Sequence, residues 1–276
     1  MFVGGPGSGK SNYLFRVWIA IEHETGRLKK YGLPAELDYL HEGAARLLAG
    51  HFAPHTSLNA PTTCEIPIVV AGQETPTNLT VPDVSGEIWD DVYERREWPL
   101  AWDDFMTGDC SFLVFLRAGA PHNVRALDWL TCERLYKDRA AARAETRGPT
   151  QVFLVDWLQV LRGLVTEKSG SRRVPRLSVV ITAWDTVKAD SGPQDYIARE
   201  FPLLDQFLRA ELHGFEARLF GVSVAGGDLD NDNKFRSEYL SQGLIKNGYS
   251  VISKGRSAQR SDDILAPLYW ALGCDS

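Results

Sequence analysis

The chain is poor in the residues that mark secreted or metal-built proteins. Its 276 residues include four cysteines, Cys64, Cys110, Cys132 and Cys274, and none stands in a C-x-x-C pair, which argues against a disulfide framework and a thiolate metal site. Of the six histidines, His51 and His55 alone have the H-x-x-x-H spacing, and they fall in a proline-flanked loop, so a helix-borne imidazole site has no scaffold. No apolar run reaches the roughly eighteen residues that a spanning helix needs. Positive charge is also scarce: 30 basic residues against 36 acidic ones give a net charge of −6, and no overall field draws the chain to a nucleic-acid backbone. What remains is a composition of 44% hydrophobic and 11% aromatic residues, enough for a sizeable core.

The strongest signal stands at the start. Gly4-Gly5-Pro6-Gly7-Ser8-Gly9-Lys10-Ser11 satisfies G-x-x-x-x-G-K-[ST] at every fixed position. Glycines let such a loop turn its N–H groups toward one anion, while Lys10 adds a charge and Ser11 a hydroxyl suited to Mg²⁺. Leu14, Val17, Trp18 and Ile21 follow at helical spacing, so a helix N-terminus faces the phosphates. Gly5, Gly7, Ser8, Gly9, Lys10, Ser11 and Asn12 are the expected nucleotide contacts. Because Met1, Phe2 and Val3 are all that precede Gly4, the feeding strand is expected to be very short, or the start to lie upstream. With the motif so early no signal peptide is expected, and the reading is a cytoplasmic chain.

Downstream, strand-like and helix-like patterns alternate. Helices are expected over 34–48, 90–105, 151–165, 196–212 and 262–272, and strands over 64–71, 78–81, 111–116, 177–182 and 217–223. The first two strands read as a hairpin. We expect residues 1–276 to form one domain, with insertions at about 27–60 and 120–150 and a loop-rich segment at about 225–260. Alternation of this kind argues a three-layer α/β fold with a parallel sheet.

Two further motifs extend the nucleotide reading. Asp83-Val84-Ser85-Gly86 is a D-x-x-G at the end of the 78–81 strand, where an Asp supports Mg²⁺ and a glycine lets its N–H approach a terminal phosphate. Thr182-Ala183-Trp184-Asp185 resembles the [NT]-K-x-D motif that reads guanine, since a carboxylate accepts both the N1–H and the exocyclic amine of that base. Ala183 stands in the lysine position, with Trp184 either stacking on the base or packing in the core. Ser223-Val224-Ala225-Gly226 has the form of a short loop whose backbone contacts the base, giving Ser223 and Ala225 as contacts beside Thr182 and Asp185. A threonine that follows the metal and terminal phosphate is sought before the 64–71 strand, and Thr62 and Thr63 both fit, with Thr56 more distant.

In this order, GGPGSGKSNYL, VPDVSGE and TAWD resemble the TRAFAC-class GTPases of the P-loop superfamily, with the closest likeness to bacterial double-GTPase domains of operons suspected of anti-phage roles. The resemblance implies a Ras-like three-layer fold with a mostly parallel central sheet, one antiparallel strand and helical insertions, and it implies Mg²⁺ with GTP or GDP. It gives Lys10 to the β- and γ-phosphates; Ser11, Thr63 (or Thr62) and Asp83 to the metal; Gly86 to the γ-phosphate; and Asp185 to guanine. Lys10, Thr63 and Glu87 become the catalytic candidates. Glu87 stands where Ras-like proteins carry a water-orienting glutamine; its charge would repel the γ-phosphate, so slow hydrolysis is expected. Arg117, after the 111–116 strand, is a candidate arginine finger in cis. A protein partner such as a second GTPase or an operon-encoded effector is implied. Glu87 also suits an adaptor with negligible turnover, and Ala183 an ATP-using P-loop protein.

Overall fold

Short apolar runs build the centre of the fold. In the computed structural model, which describes residues 1–54, 61–106, 110–121, 123, 149–168, 174–188, 191–210, 214–243, 247–254 and 257–274, β5 (Phe112–Arg117), β6 (Arg176–Thr182) and β7 (Glu216–Ser223) pair in parallel. Successive residues of β5 and β6 are buried, the pattern of strands covered on both faces by helices. β1 (Phe2–Val3) joins in parallel, with Phe2 opposite Leu113. An antiparallel hairpin, β8 (Tyr249–Lys254) and β9 (Ser257–Ser261), extends the other edge to give the order β1-β5-β6-β7-β8-β9.

β2 (Leu28–Lys30), β3 (Cys64–Val70) and β4 (Thr77–Val81) form a separate antiparallel sheet of three. β3 buries alternate residues, as a strand with one covered face does. β4 runs beside β1, but two residues give β1 a ladder with β5 and none with β4.

Helices cover both faces. α1 (Lys10–Glu22), α2 (Leu37–Leu48) and the C-terminal α8 (Ala266–Ala271) share one apolar cluster with β3 and β4. α3 (Glu87–Arg95), α4 (Thr150–Lys168), α5 (Pro193–Glu200) and α6 (Pro202–Arg209) share the other. Four indoles meet where α3 and α4 pack: Trp89 lies 4.7 Å from Trp102, 5.6 Å from Trp157 and 6.2 Å from Trp98, centroid to centroid. Trp157 Nε1 donates to the Trp89 carbonyl at 2.8 Å.

The three-layer α/β fold is as expected from the sequence, with four differences of detail. Antiparallel pairing is more extensive than the one strand expected. The segment 225–260 is not merely loop: it contains α7 (Asn233–Gln242) and the β8–β9 hairpin, which carry weak periodicity because α7 buries just Tyr239. The helix expected over 196–212 is two helices, since Pro202 disfavours helical geometry at Phe201 (φ −130°, ψ 57°). The helix expected over 90–105 stops at Arg96, whose φ is +58°, and continues as a 3₁₀ turn over Leu100–Met106. Most of the insertion expected at 120–150 lies outside the described residues. The stretch expected as an insertion at about 27–60 contains β2 and α2.

Candidate nucleotide-binding site

The glycine-rich loop crosses the C-terminal ends of β5 and β6, where ligands bind in parallel sheets. Its course depends on close approaches that a side chain would block. A Cβ on Gly9, whose φ is +93°, would lie 2.6 Å from Thr182 Oγ1. Thr182 uses that same hydroxyl to donate to the Ser8 carbonyl at 2.7 Å. Thr182 therefore buttresses the loop from beneath rather than facing a base. The Ser8 hydroxyl is buried and has no hydrogen-bond partner among the described residues. α1 starts at Lys10, so the first-turn N–H groups open toward the loop.

Lys10 is 3% exposed. Its Nζ donates to the Gly5 carbonyl at 3.1 Å and to the Gly4 carbonyl. The loop borders a cleft of about 150 Å³ that also takes in Ser11, Asn12, Glu87 and Arg117. Gly7, Ser8, Gly9, Lys10, Ser11, Asn12 and Glu87 thus share one cleft, and Gly5 adjoins it. Ala53 and Pro54, which no motif marked, close another side; Ala53 N–H donates to Asn12 Oδ1 at 2.9 Å. Arg117 lies close enough to Asp228 to help hold that carboxyl below its ordinary range, after the larger contribution from Asn231.

The D-x-x-G segment is built around Asp83, which is 1% exposed. Asp83 Oδ1 accepts from Gly86 N–H at 2.7 Å and Ser85 Oγ at 2.8 Å, while Oδ2 accepts from Ile88 N–H at 2.7 Å and Trp89 N–H at 3.3 Å. The carboxylate thus caps the N-terminus of α3 and satisfies its orphan donors. Gly86 takes a φ of +90°, and a Cβ there would collide with Gly5, Pro6 and Lys10 Nζ. Thr63 Oγ1 donates to the Pro82 carbonyl at 3.1 Å, and the Thr62 carbonyl accepts from Val84 N–H at 2.9 Å. Neither threonine lines the cleft; both tie the start of β3 to the segment after β4. Thr56 lies outside the described residues.

At the same C-terminal ends of β6 and β7, the two loops expected to read the base are joined. Ser223 Oγ donates to Asp185 Oδ1 and accepts from Gly226 N–H at 2.9 Å. Ala225 is fully buried. Trp184 is 4% exposed and packs so tightly on β7 that a Cβ on Gly221 would lie 2.2 Å from its ring, so it is a core residue and leaves no ring for stacking. Ala183, in the lysine position, adopts a left-handed φ of +53°.

Mg²⁺ fits the cleft chemically: Ser11 offers a hydroxyl and Glu87 a carboxylate, both hard oxygen donors. No trio of His, Cys, Asp or Glu gathers among the described residues. The Asp228, Asp230 and Asp232 series, spaced like a calcium loop, serves locally: Asp228 Oδ1 accepts from Asp230 and Asn231 N–H, and Asp232 caps α7 through Phe235 N–H at 3.0 Å. No helix among the described residues is long and apolar enough to cross a membrane.

Comparison with known proteins agrees with this geometry. Neither the curated proteins nor the solved structures offer a match to the chain. The family model described as Double-GTPase 1 matches residues 1–271. A glycine-rich loop leading into α1, a D-x-x-G folded against it and two joined loops at the ends of β6 and β7 thus accompany a family match over nearly the whole length, and the chain belongs to the Double-GTPase 1 family.

Proposed function

We propose that this chain binds GTP with Mg²⁺ and hydrolyses it slowly, serving as a molecular switch of the TRAFAC type within a bacterial conflict system, in the cytoplasm, as a single domain. The observation that carries the reading is the meeting of Lys10, Ser11, Glu87 and Arg117 on one cleft. The Asp185 carboxylate, held near the end of β6 by Ser223, supports guanine over adenine, because it can accept both the N1–H and the exocyclic amine of guanine. The conflict setting and a partner, either a second GTPase or an operon-encoded effector, rest on the sequence resemblance alone.

In this scheme the loop N–H groups and Lys10 cradle the phosphates, with Lys10 exchanging its bonds to the Gly4 and Gly5 carbonyls for phosphate oxygens. Ser11 would hold Mg²⁺, which when bound would supply charge neutralisation. Asp83 would support the metal if Gly86 and Ile88 released its oxygens, and Thr63 would do so if it left Pro82. That coupling would make the order of the D-x-x-G segment depend on the nucleotide. Glu87 orients the attacking water and repels the γ-phosphate. Arg117 offers positive charge to the developing transition state from within the chain.

Glu87 also favours a second reading, a GTP-binding adaptor with negligible turnover. Single-turnover assays with radiolabelled GTP separate the two. Phosphate release above the uncatalysed rate that disappears in Lys10→Ala is expected, and its absence with partners added sinks the enzyme reading. Equal competition of labelled GTP by ATP and by GDP would sink the guanine assignment.

A further inference from the structure

Helix α1 buries a charged side chain that the nucleotide chemistry does not use. Arg16 is 4% exposed and stands between Phe15 and Val17, which are buried as well. Taking a guanidinium out of water is costly unless polar groups meet it. Arg16 Nη2 donates to the Asn247 carbonyl at 3.2 Å, which ties α1 to the chain just before β8.

The residue after Asn247 touches the loop that follows β7. Gly248 has a φ of +87°, and a Cβ on it would lie 2.6 Å from the Val224 carbonyl oxygen and 3.0 Å from that of Ser223. A Cβ on Gly226 would in turn lie 3.4 Å from the Gly248 nitrogen. Tyr249 then pairs with Ser223 as β8 begins. Within the loop, the Ser223 hydroxyl donates to Asp185 Oδ1 and accepts from Gly226 N–H at 2.9 Å. Contacts therefore run without a break from α1, whose first residue is Lys10, through Arg16, Asn247 and Gly248 to Ser223 and Asp185. A site that reads a base with backbone groups and one carboxylate must hold them to within about 0.5 Å.

We infer that Arg16 is a positioning residue for base recognition: by holding Asn247 it seats Gly248 against the Ser223–Gly226 loop, and so fixes that loop and the Asp185 carboxylate relative to the phosphate loop at the head of its own helix. This rests on the guanine-nucleotide reading above. None of the nucleotide motifs contains Arg16 or Asn247, and the assignment gives the edge strand β8 a part in the site.

The test uses Arg16→Met and Arg16→Lys in the full chain, with GDP and tripolyphosphate each competed against a fluorescent GTP analogue in the presence of Mg²⁺. Methionine fills part of the space without a donor, and lysine keeps a buried cation. Arg16→Met should weaken GDP on the order of 10-fold, the worth of one charged hydrogen bond, and leave tripolyphosphate unchanged; Arg16→Lys should recover part of the loss. Should Arg16→Met not fold, Arg16→Lys is read alone, and a smaller loss confined to GDP is expected. Unchanged GDP affinity, or an equal loss of GDP and tripolyphosphate, would overturn the role of Arg16 while leaving the nucleotide reading intact. Wild-type protein that binds neither, or binds tripolyphosphate as tightly as GDP, would overturn both.

Discussion

Gly86 stands directly against Lys10: a Cβ built on Gly86 would lie 2.7 Å from Lys10 Nζ and 2.5 Å from the carbonyl carbon of Gly5. The start of α3 and the phosphate loop are therefore in contact through a residue that has no side chain to spare. Whatever moves one must be felt by the other, since packed elements shift between discrete arrangements rather than deforming smoothly.

Gly86→Ala is expected to cost about 1–3 kcal/mol of stability, because the methyl group meets backbone on one side and a left-handed φ of +90° on the other. Thermal unfolding measures the cost. On the proposed function, the same variant should lose the difference between GTP and GDP affinity while still binding both.

Asp83→Ala removes an acceptor that satisfies four donors at the head of α3. Loss of a cap of this kind is expected to cost about 2 kcal/mol, with several N–H groups left in a buried setting. Chemical denaturation should show a lowered midpoint with no nucleotide present. A midpoint equal to the wild type would remove the capping role.

Asp185→Ala should weaken GTP binding by about 10- to 100-fold, the worth of one or two charged hydrogen bonds. ATP binding should hardly change. The variant also unties Ser223 from the β6 loop, so Ser223→Ala is the control: it loses the tie and keeps the carboxylate. Competition titrations with both nucleotides decide the outcome.

Cys64 supplies a pH prediction. Burial, and behind it Glu36 and Glu65, pushes the thiol from 9.0 up to about 12. The unfolded chain loses this proton near pH 9 and the folded chain keeps it, so the contribution is fully present below pH 9 and is lost as pH rises toward 12. At pH 8 a thiol reagent should leave Cys64 untouched in the native protein, modifying it only on unfolding, while Cys110 and Cys274 are less buried. Rapid native labelling of Cys64 would contradict the burial.

How far the sequence could be read depended on how local each signal was. The loop residues 4–11 were legible because phosphate chemistry demands specific residue types at fixed spacing, and β5, β6 and β7 because strands buried on both faces leave unbroken apolar runs. The β8–β9 hairpin was not, since its edge position leaves Ala258, Gln259 and Arg260 exposed and no strong alternation survives. The break at Phe201 was signalled by Pro202 and overridden by an otherwise helical pattern. Asp83 was found by its motif, but three of its four donors are backbone N–H groups whose placement no motif encodes. Ala53 lies in the stretch expected as an insertion, where nothing in the residue pattern points to the cleft it borders.

The four indoles at the α3–α4 junction have an optical consequence. Rings 4.7–6.2 Å apart are close enough for the strong far-ultraviolet transitions of Trp89, Trp98, Trp102 and Trp157 to couple. The Trp89 N–H is one of the groups that Asp83 Oδ2 holds. The far-ultraviolet circular dichroism of this protein should therefore carry an exciton contribution from these indoles, and its amplitude should follow the geometry of a single helix start.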